Sequence, residues 1–451
     1  AMLKAERCIH IVGWDLDRRM PFPGCPEDVE RLSQLGSAGH ETAADGYPLR
    51  LGDFLAALVK QKPNLWIRIL LWDFSLLYAA SREALPATAV ALRWRTPRRL
   101  DLCFDDTIPM GSAHHQKLIA IDDAVAFCGG MDLTLARWDD CAHAAGDKRR
   151  CMLDGSPYAP VHDIQVMVDG PAAEAIAEYI RSRWACAAYE KVTAVQHRPA
   201  TLWPESVRPD FRQVDVALAR TEPAFSAAPP VTEIERLFVR MIREAKHKIY
   251  IENQYLTSEL IAATLIDALR ANSELEVVII CSLTYPSWVE DAAMIAGRRR
   301  FMQRMHENGV GDRVLLLAPR NAATEEAAQI KVHAKLMAID DRYLRIGSAN
   351  LCRRSMGSDS EFDLTIIAED AESRAAILAV RDRLLAEHCG TEPDEVAAAI
   401  AETGSLKAAI ARVNTGKDRR LEPIRDDGAD ETMTEALYAI ADPEKPIDPT
   451  L

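Results

Sequence analysis

Two short strings in this chain repeat one spacing of His, Lys and Asp. His115 is followed by Lys117 and then Asp122; His333 is followed by Lys335 and then Asp340. Each string runs on into a glycine-containing element, Gly129-Gly130-Met131-Asp132 after the first and Gly347-Ser348-Ala349-Asn350 after the second. An imidazole, with an unperturbed pKa of about 6.5, can hold either protonation state near neutrality. Two of them can therefore divide a phosphoryl transfer, one attacking phosphorus while the other protonates the leaving group. A lone His on an apolar strand is ordinarily a packed core residue, and a lone Lys beside it a snorkelling surface group. Two copies with the same follow-on, one in each half of the chain, do not fit that account.

The elements that must position these groups are strands. Side chains two apart on a strand share a face, so His115 and Lys117 point the same way, as do His333 and Lys335. Both segments are short apolar runs ending in Asp-Asp, which reads as a tight turn into a second strand over 124–128 or 343–346. Around them the pattern predicts the same order of elements twice. In the first half it gives strands at 9–12, 65–71 and 164–168 and helices at 54–60 and 172–187. In the second it gives strands at 249–251, 275–281, 314–317 and 364–368, with helices at 231–246, 259–271, 291–308 and 371–388. Internal duplication is the economical account.

The chain resembles the phospholipase D superfamily, whose members carry two such HxKxxxxD motifs. The resemblance runs through His114-His115-Gln116-Lys117, Phe127-Cys128-Gly129-Gly130-Met131-Asp132-Leu133, Arg137-Trp138-Asp139 and His162-Asp163 before Gly170-Pro171. It continues through Arg220-Thr221, Ile251-Glu252-Asn253-Gln254-Tyr255 and Ser360-Glu361, and covers roughly residues 9–388. The His-His-Gln-Lys and Glu-Asn-Gln-Tyr strings point to the phospholipid-cleaving branch, of bacterial type; the Trp often found before His-Asp is Val161 here.

What the resemblance implies is an α/β fold of two duplicated halves about a pseudo-twofold axis, each a mixed sheet flanked by helices, with the motifs meeting in one cleft. Residues 1–198 form the first half, 199–230 a Pro-rich connector, 231–389 the second half, and 390–451 a helical, polar tail. The family assigns His115 as nucleophile and His333 as acid-base. It places the orienting carboxylates crosswise, Glu361 behind His115 and Asp163 behind His333. Lys117, Lys335 and Asn350 hold the phosphoryl oxygens, with a hydroxyl from Ser348. Asp122 and Asp340 complete the catalytic motifs, although turn formation and a structural ion pair explain them equally well, and a structural role is expected for both. Asp132 departs from the Asn at the matching point of the second motif, and an ionised carboxylate there cannot donate to phosphate. The scheme requires no metal and no cofactor.

The expected activity is hydrolysis of the distal phosphodiester of a glycerophospholipid at a membrane surface, with water or an alcohol as acceptor. The alternatives are a phospholipid synthase of the cardiolipin or phosphatidylserine type and a non-lipid phosphodiesterase or nuclease. Composition bears on these. The formal net charge of −14 weighs against a nucleic-acid partner and a broad basic membrane-binding face. Arg298-Arg299-Arg300, the densest basic run, reads as a solvated helix face. No run of 18 apolar residues suggests a transmembrane helix, and the start shows no signal-peptide core. Ten scattered cysteines without a CxxC pair argue against a zinc site and a dense disulfide framework. A cytoplasmic or peripheral location is expected, with secretion left open. Two motifs in one chain leave no need for a dimer, so a monomer is expected to function. Trp138, Trp203 and Trp288 could anchor at an interface, though core packing is the commoner fate of Trp.

Overall fold

The computed structural model describes residues 1–22, 42–43, 45–73, 97–196, 202–285, 288–321, 329–416, 418–425 and 441–446. The first half supplies β1 (Cys8–Gly13), β2 (Trp66–Trp72), β3 (Leu100–Asp105), β4 (Leu118–Ile121), β5 (Val125–Gly129), β6 (Val161–His162) and β7 (Gln165–Asp169). The second supplies β8 (Asp215–Glu222), β9 (Val231–Thr232), β10 (Lys248–Asn253), β11 (Glu276–Cys281), β12 (Val314–Asn321), β13 (Lys331–Val332), β14 (Lys335–Ile339), β15 (Tyr343–Gly347), β16 (Glu361–Ile367) and β17 (Arg419–Pro423). Among the described residues one sheet runs β3-β2-β1-β4-β5-β7 and the other β17-β12-β11-β10-β14-β15-β16-β8-β9.

The duplication is visible in the pairing. In each half three strands run parallel (β1, β2, β3; β10, β11, β12), and the innermost then meets the motif hairpin antiparallel. Ile9 lies opposite Ile121 in one half and Ile249 opposite Ile339 in the other. The inner strands are buried on both faces, which is why they read as continuous apolar runs rather than alternating ones. Leu118, Ala126 and Cys128 of the first hairpin share one buried cluster with Leu336, Leu344 and Leu364 of the second half. That shared core seats the two sheets against each other.

Each motif Asp closes its own turn. Asp122 and Asp340 take positive φ, 51° and 50°. Asp122 accepts from the amides of Glu6, Arg7 and Cys8 at 2.7–2.8 Å, and Asp340 from those of Lys246, His247 and Lys248 at 2.7–2.9 Å. These carboxylates tie the turn of each hairpin to the start of β1 or β10. They are placed to hold the strands, not to meet substrate, so the catalytic grouping of both Asp residues is corrected to a structural one. Asp122→Ala strips three amides, one of them fully buried, of their acceptor. With about 1–3 kcal/mol for each buried amide left unpaired, it is expected to cost several kcal/mol in urea unfolding. Asp340→Ala should cost less, because two of its three amides are exposed.

Other expectations also need correcting. Residues 199–230 are not wholly a connector, for β8 lies inside them and pairs along the full length of β16. Its prolines flank the strand, where no ladder amide is lost. The helix expected from 231 begins at Glu233, after the two-residue β9. The alternating β3 went unread. Arg298 is fully buried rather than solvated, donating to the carbonyl of Ser282 and to the hydroxyl of Tyr285 at 3.2 Å. The tail holds helices Pro393–Thr403 and Leu406–Val413, and β17 then extends the second sheet at β12. Farther on, buried Asp442 accepts from the amides of Arg353 and Arg354 at 3.1 and 2.8 Å. Pro199 and the Trp288 side chain lie outside the described residues. No helix among the described residues is long and apolar enough to cross a membrane.

Candidate active site

The two halves exchange short strands at the cleft. The chain entering the first motif runs beside the start of β16, with the His115 amide on the Ser360 carbonyl at 2.9 Å and the Ser360 amide on the Ala113 carbonyl at 2.9 Å. The chain entering the second motif runs beside β6, with the His333 amide on the His162 carbonyl at 2.7 Å. The residue next along each partner strand is a carboxylate, so this pairing brings the carboxylates across. His115 Nδ1 lies 3.0 Å from both oxygens of Glu361, and His333 Nδ1 lies 2.7 Å from Asp163 Oδ2. With Nδ1 occupied, Nε2 is the nitrogen each imidazole has available. Gly130 is required at this junction: a Cβ there would stand 2.9 Å from the His333 carbonyl oxygen and overlap the Asp163 carboxylate.

Lys117 Nζ donates to the His115 carbonyl at 2.8 Å and lies 3.1 Å from Asp132 Oδ2. Lys335 Nζ donates to the His333 carbonyl at 2.6 Å and to Gln254 Oε1 at 3.1 Å. Both ammonium groups therefore sit beside the imidazole of their own motif. Asp132 also accepts from the Trp14 amide at 2.8 Å, so it orients Lys117 instead of meeting substrate. Asn350 is buried, with its Oδ1 unpaired. Ser348 corrects an expectation. Its hydroxyl donates to Glu361 Oε2 at 2.5 Å, so it supports the carboxylate and is not free for phosphate. Ser355, which sequence reasoning missed, does the same for Oε1 at 2.6 Å.

Burial sets the protonation states. It drives both imidazoles well below the usual range, and the nearby lysines add to the effect, with Arg137 a further contributor at His333. Both effects favour the neutral form of each histidine. Burial pushes Glu361 up to about 8 against its two serine donors and Lys117. Two hydroxyls and one imidazole N–H aimed at two oxygens fit the ionised carboxylate. Burial also raises Asp163 and lowers Lys335, each resisted by the charge of the other.

Behind Asp163 runs a buried chain that the sequence did not reveal. Asp139 Oδ2 meets His143 Nδ1 at 2.8 Å, and Glu387 Oε1 accepts from His143 and His162 at 3.0 and 2.8 Å. Glu252 then joins His162 at 2.6 Å to His388 at 3.0 Å. The triplets His143-His162-Glu387 and His162-Glu252-His388 each bring ligand atoms within 4.8 Å, a donor set that suits a divalent cation. Those atoms are already bonded to one another, which raises His143 and His162 and lowers Glu252 and Glu387. The cluster fits a charge-balanced clamp on the ribbon of β6 and β13, the ribbon that carries Asp163 and His333. Two tryptophans considered as interfacial anchors are half-buried: Trp138 lies under Arg149 at 4.8 Å, and Trp203 donates to the Val207 carbonyl at 2.7 Å.

Comparison with known proteins bears on this geometry. The family described as phospholipase D matches residues 101–215, and that described as cardiolipin synthase, PLD-like domain, matches residues 238–383, one model on each half. The chain belongs to the phospholipase D superfamily. Among relatives in the superfamily, phospholipase D1 of Saccharomyces cerevisiae is 25% identical over 381 residues, covering 63% of this chain and 22% of its own. Phospholipase D alpha 3 of Arabidopsis thaliana is 25% identical, covering 80% of this chain and 58% of its own. The chain thus spans well under two thirds of the length of these relatives. A crystal structure of phosphatidylserine synthase from Haemophilus influenzae shares the fold, with a TM-score of 0.50 and 13% identity over 92% of this chain and 91% of that one. The α/β architecture of two phospholipase D-like halves expected from the sequence is the one found.

Proposed function

We propose that this protein is a phospholipase D. It hydrolyses the distal phosphodiester of glycerophospholipids to phosphatidic acid and free headgroup through a phosphohistidine, and alcohols compete with water for that intermediate. The observation that carries this reading is the crosswise pairing of two imidazoles with two carboxylates beside two lysines.

His115 Nε2 attacks phosphorus with its lone pair as the P–O bond to the headgroup breaks, and His333 delivers a proton to the departing oxygen. Glu361 and Asp163 hold the tautomers and stabilise imidazolium as it forms. Lys117 and Lys335, with the Asn350 amide, hold the non-bridging oxygens. The diester brings negative charge between the lysines and opposes the effect that keeps His333 unprotonated, so substrate binding helps to load the acid. In the second half-reaction His333 takes the proton from water or alcohol as its oxygen attacks phosphorus and the P–N bond breaks.

The free-enzyme pKa of the nucleophile appears in kcat/KM. An imidazole with a lowered pKa keeps its lone pair as the pH falls through 6.5. The acid limb of kcat/KM is therefore expected below pH 6.5, and an acid limb above that value would show that burial does not act on His115 as described. The match of the second half to the cardiolipin synthase description favours one second reading, the same intermediate resolved by a lipid alcohol.

The direct test is product analysis on mixed phosphatidylcholine and phosphatidylethanolamine vesicles, with and without ethanol. Phosphatidic acid, diverted to phosphatidylethanol by ethanol, is the expected result. Lipid product only when a second lipid alcohol is supplied would favour the synthase reading, and no lipid product under any condition would refute both.

A further inference from the structure

Among the described residues, two cations beside the acid-base histidine have no hydrogen-bond or ion-pair partner. Lys331 stands two residues before His333 at the start of the strand pair β13–β6, so alternation puts both side chains on one face. Among the described residues its ammonium reaches neither a hydrogen-bond nor an ion-pair partner. Arg137 is in the same state, and its Nε is buried with no acceptor. The Arg137 segment is pinned to this ribbon: Asp139, two residues on, accepts from the Val161 amide at 2.9 Å, and Val161 is the register partner of Lys331.

The charges are felt locally. Burial lowers Lys331 to about 8, with Arg137 adding to the effect and Glu290 and Asp163 opposing it. Those two carboxylates face Lys331, but Asp163 is taken by His333 and Glu290 by Tyr255. Lys335 adds a further positive charge. Two like charges held close together, partly buried and unpaired, cost stability. Nothing in the hydrolytic scheme uses them, since Lys117 and Lys335 already serve the reacting phosphate. Their side of the cleft is that of His333, where the headgroup oxygen departs.

We propose that Arg137 and Lys331 form an anion subsite for the leaving alcohol, and that the preferred substrates are phospholipids whose headgroup carries a carboxylate or phosphate of its own. The inference rests on the phospholipase D reading. Because the departing alcohol and the accepting alcohol occupy one place, the same subsite selects anionic acceptors, and it disfavours a quaternary ammonium headgroup.

Serine and ethanolamine differ by one carboxylate, and glycerol phosphate and glycerol by one phosphate, so matched short-chain lipids isolate the added anion. Dihexanoyl phosphatidylserine is compared with dihexanoyl phosphatidylethanolamine, and dihexanoyl phosphatidylglycerol phosphate with dihexanoyl phosphatidylglycerol, all as monomers to remove surface effects. At least one pair should show a kcat/KM preference of about tenfold or more for the anionic member, about 1.4 kcal/mol. Lys331→Met and Arg137→Gln should bring the ratio towards one by raising KM for the anionic lipid, while Lys331→Arg retains it. A wild-type ratio near one in both pairs overturns the proposal. So does an equal loss on both members of a pair, which would assign the cations to the reacting phosphate. If no lipid is cleaved, the phospholipase D reading fails on its own. The subsite is then read from thermal stabilisation by free serine over ethanolamine and by glycerol phosphate over glycerol, and absence of any difference that Lys331→Met removes overturns it.

Discussion

His115→Ala is expected to abolish turnover and, with it, the transient attachment of phosphorus to the protein. The argument rests on geometry. His115 has its Nδ1 committed to Glu361, keeps about a fifth of its side chain exposed, and is held towards its neutral form by burial, so its Nε2 lone pair is available at once. No other described nucleophile in the cleft is equivalent, because His333 is the more enclosed imidazole and is bonded to Asp163 at 2.7 Å. Loss of a covalent nucleophile from a cooperating set typically costs on the order of 10⁴-fold or more in kcat. The measurement is rapid quench with a short-chain phospholipid carrying radioactive phosphorus, followed by denaturation and recovery of label on protein. Wild type should show up to one acid-labile equivalent per chain and His115→Ala none. The fold should survive, since the backbone amide of residue 115 still bonds to Ser360 and the truncated ring leaves a cavity open to the cleft. Full activity or undiminished labelling in the variant would remove His115 from the role of nucleophile.

Much of this site was legible in the sequence because a strand's alternation and a repeated motif carry their geometry locally. His115 and Lys117 share a face by spacing alone, and the duplicated hairpins announce two equivalent halves. The crosswise carboxylates came only through family resemblance. Glu361 is distant in sequence from His115, and nothing local indicates that the two chains run side by side. The misread residues have a common physical cause. Ser348 looked like a free hydroxyl, but its partner Glu361 comes from another strand. Arg298 looked solvated, but the loop carbonyls of Ser282 and Leu283 surround it. The chain linking Asp139, His143, Glu387, His162, Glu252 and His388 was invisible for the same reason: it is assembled from four separate stretches, each of which reads as ordinary. β8 was hidden by its proline-rich flanks, and β3 by acidic residues alternating with apolar ones along an edge strand.

His333→Ala should separate substrates by their leaving groups. A departing alkoxide of a lipid headgroup needs a proton as the P–O bond breaks, whereas 4-nitrophenolate leaves unaided. General acid catalysis is worth about 10²–10⁴-fold, so phospholipid cleavage should fall by that factor or more. The first cleavage of bis(4-nitrophenyl) phosphate should proceed at close to the wild-type rate, because His115, Glu361 and both lysines remain. The same variant lacks the base for the second half-reaction, since the Asp163 carboxylate bonds to His333 and would not reach an incoming water in its place. The phosphohistidine should therefore persist. A stopped-flow trace should show a burst of one equivalent of nitrophenolate followed by slow release, with label accumulating on the protein under conditions where wild type shows little. His115→Ala with the same diester should give no burst, which distinguishes the two histidines by kinetics alone. Equal loss on activated and unactivated diesters, or a burst in His115→Ala instead, would exchange the assignments. Because each imidazole has its own carboxylate, Glu361→Gln should suppress the burst and Asp163→Asn should preserve it, extending the distinction to the crosswise partners.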